Sequence, residues 1–210
     1  MTAKKTYYKK LLLILITLVT ILTPSSAKNN EEMARNILFK ALDRVENPGG
    51  AQLSYHLKVS FYHKAGWIVF KGKKFKRSSR KTIDWYDGVT FWSMDKNSRE
   101  LTIKKPKKKT DDDAAVTSQI QMVKTGCRYS MKESGNSYLI NVDATEKGTA
   151  IKHAIIKVNK DSYAPEQVKV KFGPIWATIN ISNFKTGNYA NSNFVYEKEK
   201  YPASEVIDKR

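Results

Sequence analysis

The stretch KTIDWYDGVTFWSMDK, residues 81–96, carries the most informative pattern in the chain. An Asp87-Gly88 pair lies between two short runs rich in β-branched and aromatic residues, which predicts a tight β-hairpin. Two of the four tryptophans of the chain, Trp85 and Trp92, lie in its arms. So much large apolar surface in one hairpin fits either an ordinary core or a cavity that holds an apolar ligand.

A two-residue loop at Asp87-Gly88 would pair Trp85 with Thr90. Because paired residues share a face of the sheet, one face then carries most of the apolar surface of the hairpin. We expect that face on the concave, helix-covered side; its members are Ile83, Trp85, Thr90, Trp92 and Met94. The other face is mixed and consists of Asp84, Tyr86, Val89, Phe91 and Ser93. Patterning alone leaves open whether the apolar face lines a ligand cavity or fills a sandwich core.

The first 27 residues have the three parts of a secretory signal peptide. Four lysines form a positive n-region, residues 11–22 form an apolar run, and small residues at Ser25 and Ala27 fit a cleavage site. We therefore predict that residues 1–27 are removed on export and that residues 28–210 form a single domain. The alternative is an uncleaved membrane anchor, although the apolar run is short for a span, which needs roughly 20 residues.

The chain is strongly basic, with a formal net charge of +18. Such a charge indicates a nucleic acid, an acidic polymer or an anionic lipid as the partner, or else a lysine-rich solvated surface without a specific partner. Export argues against nucleic acid. Phospholipid headgroups and lipopolysaccharide are then the acidic surfaces that the protein would meet.

Apolar residues at helical spacing predict a first helix over about 31–46. From residue 55 the period changes to two, and short runs joined by turns such as Lys64-Ala65-Gly66 predict an antiparallel meander up to Ile103. After a charged break, a second helix is predicted over about 112–124. Further strands are predicted over 137–142, 151–158, 166–172, 175–181, 194–196 and 205–208. The predicted fold is mainly β (α+β), with roughly eleven or twelve strands in one curved antiparallel sheet under helical cover.

Catalytic and metal-binding motifs are missing from the sequence. His56, His63 and His153 are scattered and form no zinc-ligand spacing with Cys127, which is the only cysteine. The aspartates at 111–113 lack the alternating ligands and the glycine of a calcium loop. We therefore expect no cofactor, no metal and no enzymatic activity. A secreted hydrolase is the alternative, and it would need a nucleophile and a base that the sequence does not display.

Three stretches, one of which contains the hairpin, have the order and spacing of a known family. They are GWIVFKGKKF (66–75), which ends in a phenylalanine, DWYDGVTFWSMDKNSRELTIKKP (84–106), which contains an Asp-Gly-x-x-x-Trp hairpin, and the terminal YPASEVIDKR (201–210). Together with the signal peptide and the two helices, they resemble the LolA-like family of periplasmic outer-membrane lipoprotein carriers, in its short, lysine-rich branch.

The resemblance implies an unclosed half-barrel of about eleven strands, covered by an N-terminal helix and an inserted lid helix. Its concave face would bind the acyl chains of lipoproteins and deliver them toward the outer membrane. The implied protein is a periplasmic monomer that binds no nucleic acid. Its partners would be an inner-membrane release complex and an outer-membrane acceptor. The alternative on the same fold is a regulatory module that senses lipid or lipoprotein without moving it.

The resemblance carries Phe75 over as the cavity phenylalanine, Trp92 as the hairpin tryptophan and Asp87-Gly88 as a structural turn. The full set of residues expected to line the acyl-chain cavity is Phe75, Ile83, Trp85, Trp92 and Met94 on the sheet, with Met33, Ile37 and Ile120 on the helices. The best-studied carriers have an arginine-proline pair before the phenylalanine, and the arginine ties the lid shut. This chain has Lys71-Gly72-Lys73-Lys74 there, so the lid lock is not carried over.

Overall fold

The computed structural model describes residues 24–105, 123–145 and 152–210. These residues form one twelve-stranded sheet, an N-terminal helix and a short 3-10 helix. Helix α1 spans Pro24–Val45, and the 3-10 helix spans Asn191–Phe194. The strands are β1 Ala51–Val59, β2 Tyr62–Lys71, β3 Lys74–Ser79, β4 Thr82–Tyr86, β5 Phe91–Asp95, β6 Glu100–Lys104, β7 Cys127–Ser134, β8 Ser137–Ala144, β9 His153–Asn159, β10 Pro165–Phe172, β11 Ile175–Thr186 and β12 Glu205–Asp208.

The sheet consists of two meanders that meet in the middle. The strand order is β12-β6-β5-β4-β3-β2-β1-β11-β10-β9-β8-β7, so β12 and β7 are its two edges and it does not close into a barrel. Neighbouring strands are antiparallel, except that β12 pairs in parallel with β6. The predicted mainly β, unclosed half-barrel is confirmed, with a parallel edge strand as the one departure from an all-antiparallel sheet.

Helix α1 packs over one end of the sheet, mainly on β7 and β9. Ala34, Leu38 and Ala41 recur at helical spacing and are buried against these strands. The strand residues of this core are Tyr129, Ile140, Val142, Ala154, Ile156 and Val158. Fully burying a side chain such as Leu38 is worth about 1.5–3 kcal/mol, so these buried helix residues hold α1 on the sheet.

Asn30 anchors α1 to the edge of the sheet. Its side-chain N–H donates to the carbonyl oxygen of Met131 at 3.0 Å, and its side-chain oxygen accepts the N–H of Met131 at 2.9 Å. Two backbone groups of the edge strand β7 are satisfied in this way. The end of α1 predicted near residue 46 is confirmed. The helix begins at Pro24 and not near residue 31, since proline is compatible with the first turn of a helix.

A second core lies at the other end of the sheet, beneath residues 187–204, which we call the tail segment. Trp85 is fully buried there, and its ring packs edge-on against Tyr196 and Tyr201 at centroid distances of 5.4 and 5.3 Å. Lys76 forms an ion pair with Glu197 in the same layer. The other members of this core are Ile83, Trp92, Met94, Leu101, Ile103 and Ala203.

The β4–β5 hairpin has a different loop from the predicted one. Its loop contains four residues, Asp87–Thr90, and Trp85 pairs with Trp92. The Asp87 carboxylate accepts the N–H groups of the two residues after Gly88, at 2.8 and 2.7 Å, and Gly88 has a φ of +100° that favours glycine. The predicted two-residue loop is therefore wrong. Because the register shifts by two residues and not by one, the side chains of the two arms keep their predicted grouping, whereas Val89 and Thr90 lie in the loop.

The two faces of the sheet can be followed from α1 to the hairpin, because directly paired residues share a face. The path runs through Ile156, Val168, Ile179, Leu57, Lys64, Phe70, Phe75, Tyr86 and Phe91. These residues lie on the side that α1 covers, which we call the helix face. Trp85 and Trp92 lie on the opposite side, the tail face.

The prediction that the tryptophans lie on the helix-covered side is therefore wrong. The hairpin does place Trp85 and Trp92 on its more apolar face. That face is covered by Tyr196 and Tyr201 of the tail segment instead of by a helix. Patterning within the hairpin does not reveal this second cover, because the covering residues come from a distant part of the chain.

Further differences concern the connections and the C-terminal half. The turn between β1 and β2 is at Ser60-Phe61 and not at residues 64–66, which lie within β2. Strand β7 forms where no strand was predicted, and residues 194–196 are not a strand. Residues 123–125 are helical. The rest of the predicted second helix lies outside the described residues, as does the chain up to residue 23.

Candidate functional site

An apolar stripe runs along the middle of the helix face, on β1, β2, β10 and β11. Its side chains are half-buried, and of its members Val168 and Val170 also pack against the core under α1. The apolar stripe consists of Leu53, Tyr55, Leu57, Val59, Ile68, Phe70, Val168, Val170, Ile179 and Ile181. Lys64, which pairs with Leu57, is a charged residue on the same face. A largely apolar surface of this kind marks a place where a further apolar body can bind.

The stripe has the length of an extended fatty acyl chain. Leu53 to Val59 along β1 alone spans about 20 Å at the usual rise of a strand. The neighbouring strands widen the surface on both sides, because Leu57 pairs with Ile179 and Ile179 pairs with Val168. The surface is thus a shallow trough of several strands and not a single row.

Aromatic residues form a wall at the β3–β5 end of the stripe. Phe75 is 5% exposed and pairs directly with Phe70 of the stripe. Its ring centroid lies 5.6 Å from that of Tyr86 and 6.2 Å from that of Phe91. The Tyr86 hydroxyl donates to the carbonyl oxygen of Gly88 at 2.9 Å, which holds the ring in place.

An ion pair borders this wall on the same face. The carboxylate of Asp84 accepts hydrogen bonds from Arg77 Nε at 2.8 Å and from Ser93 Oγ at 2.6 Å.

Burial raises the pKa of the Tyr55 hydroxyl above its usual value, with a smaller opposing effect of Arg77. Tyr55 therefore stays protonated at neutral pH and presents a neutral ring to the stripe.

A separate cleft lies between α1 and the start of β7. Its lining is mostly charged or polar and consists of Lys28, Glu31, Glu32, Arg35, Lys124, Thr125, Cys127 and Tyr129. Burial raises the pKa of the Cys127 thiol, and the carboxylate of Asp143 raises it further. The thiol is therefore protonated at neutral pH and is a weak nucleophile. The charged lining also makes this cleft a poor match for an acyl chain.

The cavity residues predicted from the sequence do not come together in one place. Phe75 lies on the helix face, whereas Ile83, Trp85, Trp92 and Met94 lie on the tail face, within the second core. Ile37 is 7% exposed in the core under α1, and Met33 is 46% exposed on the helix. Ile120 lies outside the described residues. Asp87 and Gly88 do form the hairpin turn.

The stripe residues were not singled out as site residues from the sequence. The alternation of Tyr55, Leu57 and Val59 with polar residues does predict a strand with one apolar face. Alternation cannot tell whether that face is filled by a helix or stays half-open. The signal that distinguishes the stripe is the half-burial of paired residues on four strands, which only the assembled sheet provides.

The comparison with protein families agrees with this fold. Residues 24–174 match the family model described as Outer membrane lipoprotein carrier protein LolA. The match spans well over half of the chain, and the protein therefore belongs to this family. The description is that of a carrier and not of an enzyme. Among curated proteins, none matches the chain significantly.

Two solved structures share the fold at low sequence identity, and a third resembles the chain more weakly. An uncharacterized conserved protein from Thermus thermophilus is 11% identical with a TM-score of 0.52, covering 84% of this chain and 99% of that one. LprF from Mycobacterium bovis is 7% identical with a TM-score of 0.50, covering 76% and 97%. A LolA superfamily protein from Nitrosomonas europaea is 8% identical with a TM-score of 0.36, covering 78% and 97%. The likeness of the first two extends over nearly their whole length and concerns the fold alone.

Membrane-spanning helices are absent from the part of the chain that the structure describes. Within residues 24–105, 123–145 and 152–210, no helix combines the length and the hydropathy that crossing a bilayer requires.

Proposed function

We propose that this protein is a periplasmic carrier that binds the acyl chains of lipoproteins on the apolar stripe and delivers them toward the outer membrane. The observation that carries the proposal is the stripe itself, a half-exposed apolar surface of four strands on the helix face. Membership of a family described as lipoprotein carriers supports the same function.

The physical basis of binding is the removal of acyl chains from water. Each buried CH₂ group contributes about 0.8 kcal/mol, so a chain laid along the stripe can bind strongly without polar contacts. A surface of aliphatic and aromatic side chains selects for length and apolarity, not for headgroup or sequence. It therefore suits cargo that differs in its protein part and shares its lipid part.

Delivery needs no chemistry at the site. Acyl chains leave an apolar surface only for another apolar environment, so release requires an acceptor that takes them. We propose an inner-membrane release complex as the donor and an outer-membrane receptor as the acceptor, with this protein shielding the chains in the aqueous space between. The predicted signal peptide supports the periplasmic location.

The first test compares two carboxylates introduced at adjacent positions of β1. Leu57→Glu places a charge in the stripe, and His56→Glu places the same charge on the exposed tail face. We expect Leu57→Glu to weaken binding of a fluorescent diacylated lipopeptide at least about tenfold. A charge desolvated by the acyl chain costs several kcal/mol, and an ion pair with the facing Lys64 regains only part of that cost. His56→Glu should bind like wild type. Equal affinity of the two variants would refute the stripe as the binding surface.

A transfer assay then separates a carrier from a sensor. Protein loaded with the labelled lipopeptide is mixed with acceptor vesicles and with an apolar lipid-binding acceptor protein. A carrier passes its ligand to the acceptor at a rate that rises with acceptor concentration. A protein that binds the lipopeptide but retains it against both acceptors would be a sensing module and not a carrier.

A further inference from the structure

We propose that the two turns at one end of the sheet, Ser60-Phe61 and Gly173-Pro174, dock the protein end-on to an anionic phospholipid surface. The first turn joins β1 to β2 and the second joins β10 to β11. Because Val59 pairs with Ala177, the two turns lie side by side at the same end. We call residues 58–64 and 169–176 together the sheet tip.

The sheet tip concentrates exposed apolar side chains. Phe61 is 100% exposed, since a two-residue turn leaves its ring no part of the sheet to fold back onto. Of the ten large apolar residues that are exposed in the described chain, half belong to the tip: Phe61, Tyr62, Phe172, Ile175 and Trp176. Single exposed apolar residues are normal on a soluble protein, but such a cluster marks an interaction surface.

These side chains surround the end of the sheet instead of lying on one side of it. Tyr62, Phe172 and Ile175 belong to the helix face, because they are in register with Val59 of the stripe or pair across the β10–β11 turn. Trp176 belongs to the tail face, where its ring packs edge-on against His153 with centroids 5.5 Å apart. Exposed aromatic side chains thus lie on both faces of the sheet end, with Lys58, Lys169 and Lys171 beside Trp176 on the tail face. Such an arrangement suits insertion of that end and not lateral packing of one face.

The charge of the tip identifies the partner as anionic lipid. Residues 58–64 and 169–176 contain four lysines, Lys58, Lys64, Lys169 and Lys171, and contain no aspartate or glutamate. Lys171 Nζ lies 5.8 Å from the centroid of the Trp176 ring, so the cation and the aromatic ring are presented together. Tryptophan and tyrosine favour the membrane interface, phenylalanine favours the acyl boundary, and lysines are attracted to anionic headgroups.

Docking in this way would bring the stripe to the membrane. The stripe reaches the tip through Val59 and Val170, which precede the two turns on the helix face. An acyl chain could then pass between the bilayer and the stripe along a continuous apolar path. The docking surface shares Val59 and Val170 with the stripe and extends beyond it to Phe61 and Trp176.

Vesicle sedimentation of the exported protein, purified from the periplasm of an expressing bacterium, tests the proposal. Vesicles of phosphatidylcholine and phosphatidylglycerol in equal parts are compared with vesicles of phosphatidylcholine alone. We expect stronger binding to the anionic vesicles, and we expect Phe61→Ser to reduce it about tenfold or more, from the loss of one buried phenylalanine. Val206→Ser removes a residue that is 57% exposed on the edge strand β12, away from the tip, and should change nothing. Neither substitution touches a core.

Two charge variants and one stripe variant complete the test. Lys171→Glu should weaken binding to anionic vesicles, whereas Lys198→Glu in the tail segment should not. Leu57→Glu should still sediment with vesicles, and Phe61→Ser should still bind the soluble lipopeptide. If the wild type sediments no more with anionic vesicles than without vesicles, the proposal is overturned. That result is expected if the tip fits a protein receptor instead. Equal binding of wild type and Phe61→Ser, or loss of binding in Leu57→Glu, would also overturn it.

Discussion

Gly66 lies in the middle of β2, opposite Tyr55 of β1 and Ser79 of β3. A Cβ atom at this position would collide with the carbonyl oxygen of Ser78 and would lie 2.9 Å from the hydroxyl oxygen of Tyr55. The glycine is therefore required by close packing and not by a turn. It lets the ring of Tyr55 lie across the strand, within the apolar stripe.

We predict that Gly66→Ala lowers the free energy of unfolding by roughly 2–3 kcal/mol, since the added methyl group meets backbone that cannot move aside cheaply. Gly135→Ala is the matched control. Gly135 has a φ of +56° and open space around it, so alanine there should cost only about 1 kcal/mol of backbone strain. Urea denaturation measures both. A Gly66 variant no less stable than the Gly135 variant would contradict the packing argument.

The same glycine shows where sequence reasoning fails for single residues. Lys64-Ala65-Gly66 has the composition of a turn and was predicted as one. The actual turn, Ser60-Phe61, has no Gly, Pro, Asn or Asp, and Ser60 adopts a φ of +48°. A glycine that is needed for close approach and a glycine that is needed for a turn look alike in a sequence. Only the neighbouring strands distinguish them.

At the scale of elements, one carboxylate ties three strands together. Glu166 of β10 accepts hydrogen bonds from Ser137 Oγ of β8 at 2.7 Å and from Asn159 Nδ2 of β9 at 3.1 Å. Lys157 Nζ of β9 lies 3.1 Å from the same carboxylate. Burial alone would raise the pKa of Glu166, but these three partners outweigh it and lower the pKa below its usual value of 4.5.

This lowered pKa predicts a loss of stability in acid. The unfolded chain binds the proton more readily than the folded one, so the contribution is present above pH 4.5 and disappears as the pH falls through the lower folded-state pKa. We expect it to be about 1 kcal/mol or less, because the side chain is partly exposed. Glu166→Gln should lower the free energy of unfolding at pH 7 and make it fall less steeply as the pH drops, as measured by urea denaturation across pH. The control Glu133→Gln, whose carboxylate pairs with Lys160 at the surface, should keep the wild-type decrease in acid. A decrease in acid as steep in Glu166→Gln as in wild type would contradict the assignment.

Elements with a strong local pattern could be predicted from the sequence, and elements defined by distant partners could not. The period of α1 and the alternation of the β4–β5 arms survive in the structure because each is set by residues close together in the chain. Strand β7 was missed although Cys127, Tyr129 and Met131 of its sequence CRYSMKES alternate with polar residues, because this pattern is short and directly follows a helix. Residues 194–196 look like a strand but pack as a cap, with Phe194 fully buried.

At the scale of the whole molecule, two cores lie on opposite faces and opposite ends of one sheet. The first joins α1 to β7, β8 and β9 on the helix face, and the second joins β4, β5 and β6 to the tail segment on the tail face. The apolar stripe lies between them on β1, β2, β10 and β11. The tryptophan-rich β4–β5 hairpin thus builds a core. The surface proposed to bind acyl chains comes from strands with a less distinctive sequence pattern. Period-two patterning could not predict this, because it specifies the apolar face of each strand but not what covers that face.

This arrangement predicts that the two cores contribute independently to stability. Ile140 and Ile83 are fully buried, the first under α1 and the second under the tail segment, and they share no cluster. Ile140→Val and Ile83→Val should each cost about 0.5–1.5 kcal/mol. The double variant should equal their sum within about 0.5 kcal/mol, as for sites without common partners.

A pair within one core provides the comparison. Ile140→Val combined with Val158→Ala changes two residues of the core under α1, and this pair should depart from additivity because both reshape the same packing. Urea denaturation of the single and double variants measures both cycles. Coupling between Ile140 and Ile83 as large as that within the core would mean that the sheet transmits strain across the stripe from one core to the other. Additivity would mean that the stripe can deform around a ligand at one end while the far core stays intact, which is what a shallow trough needs in order to accept acyl chains of different shape.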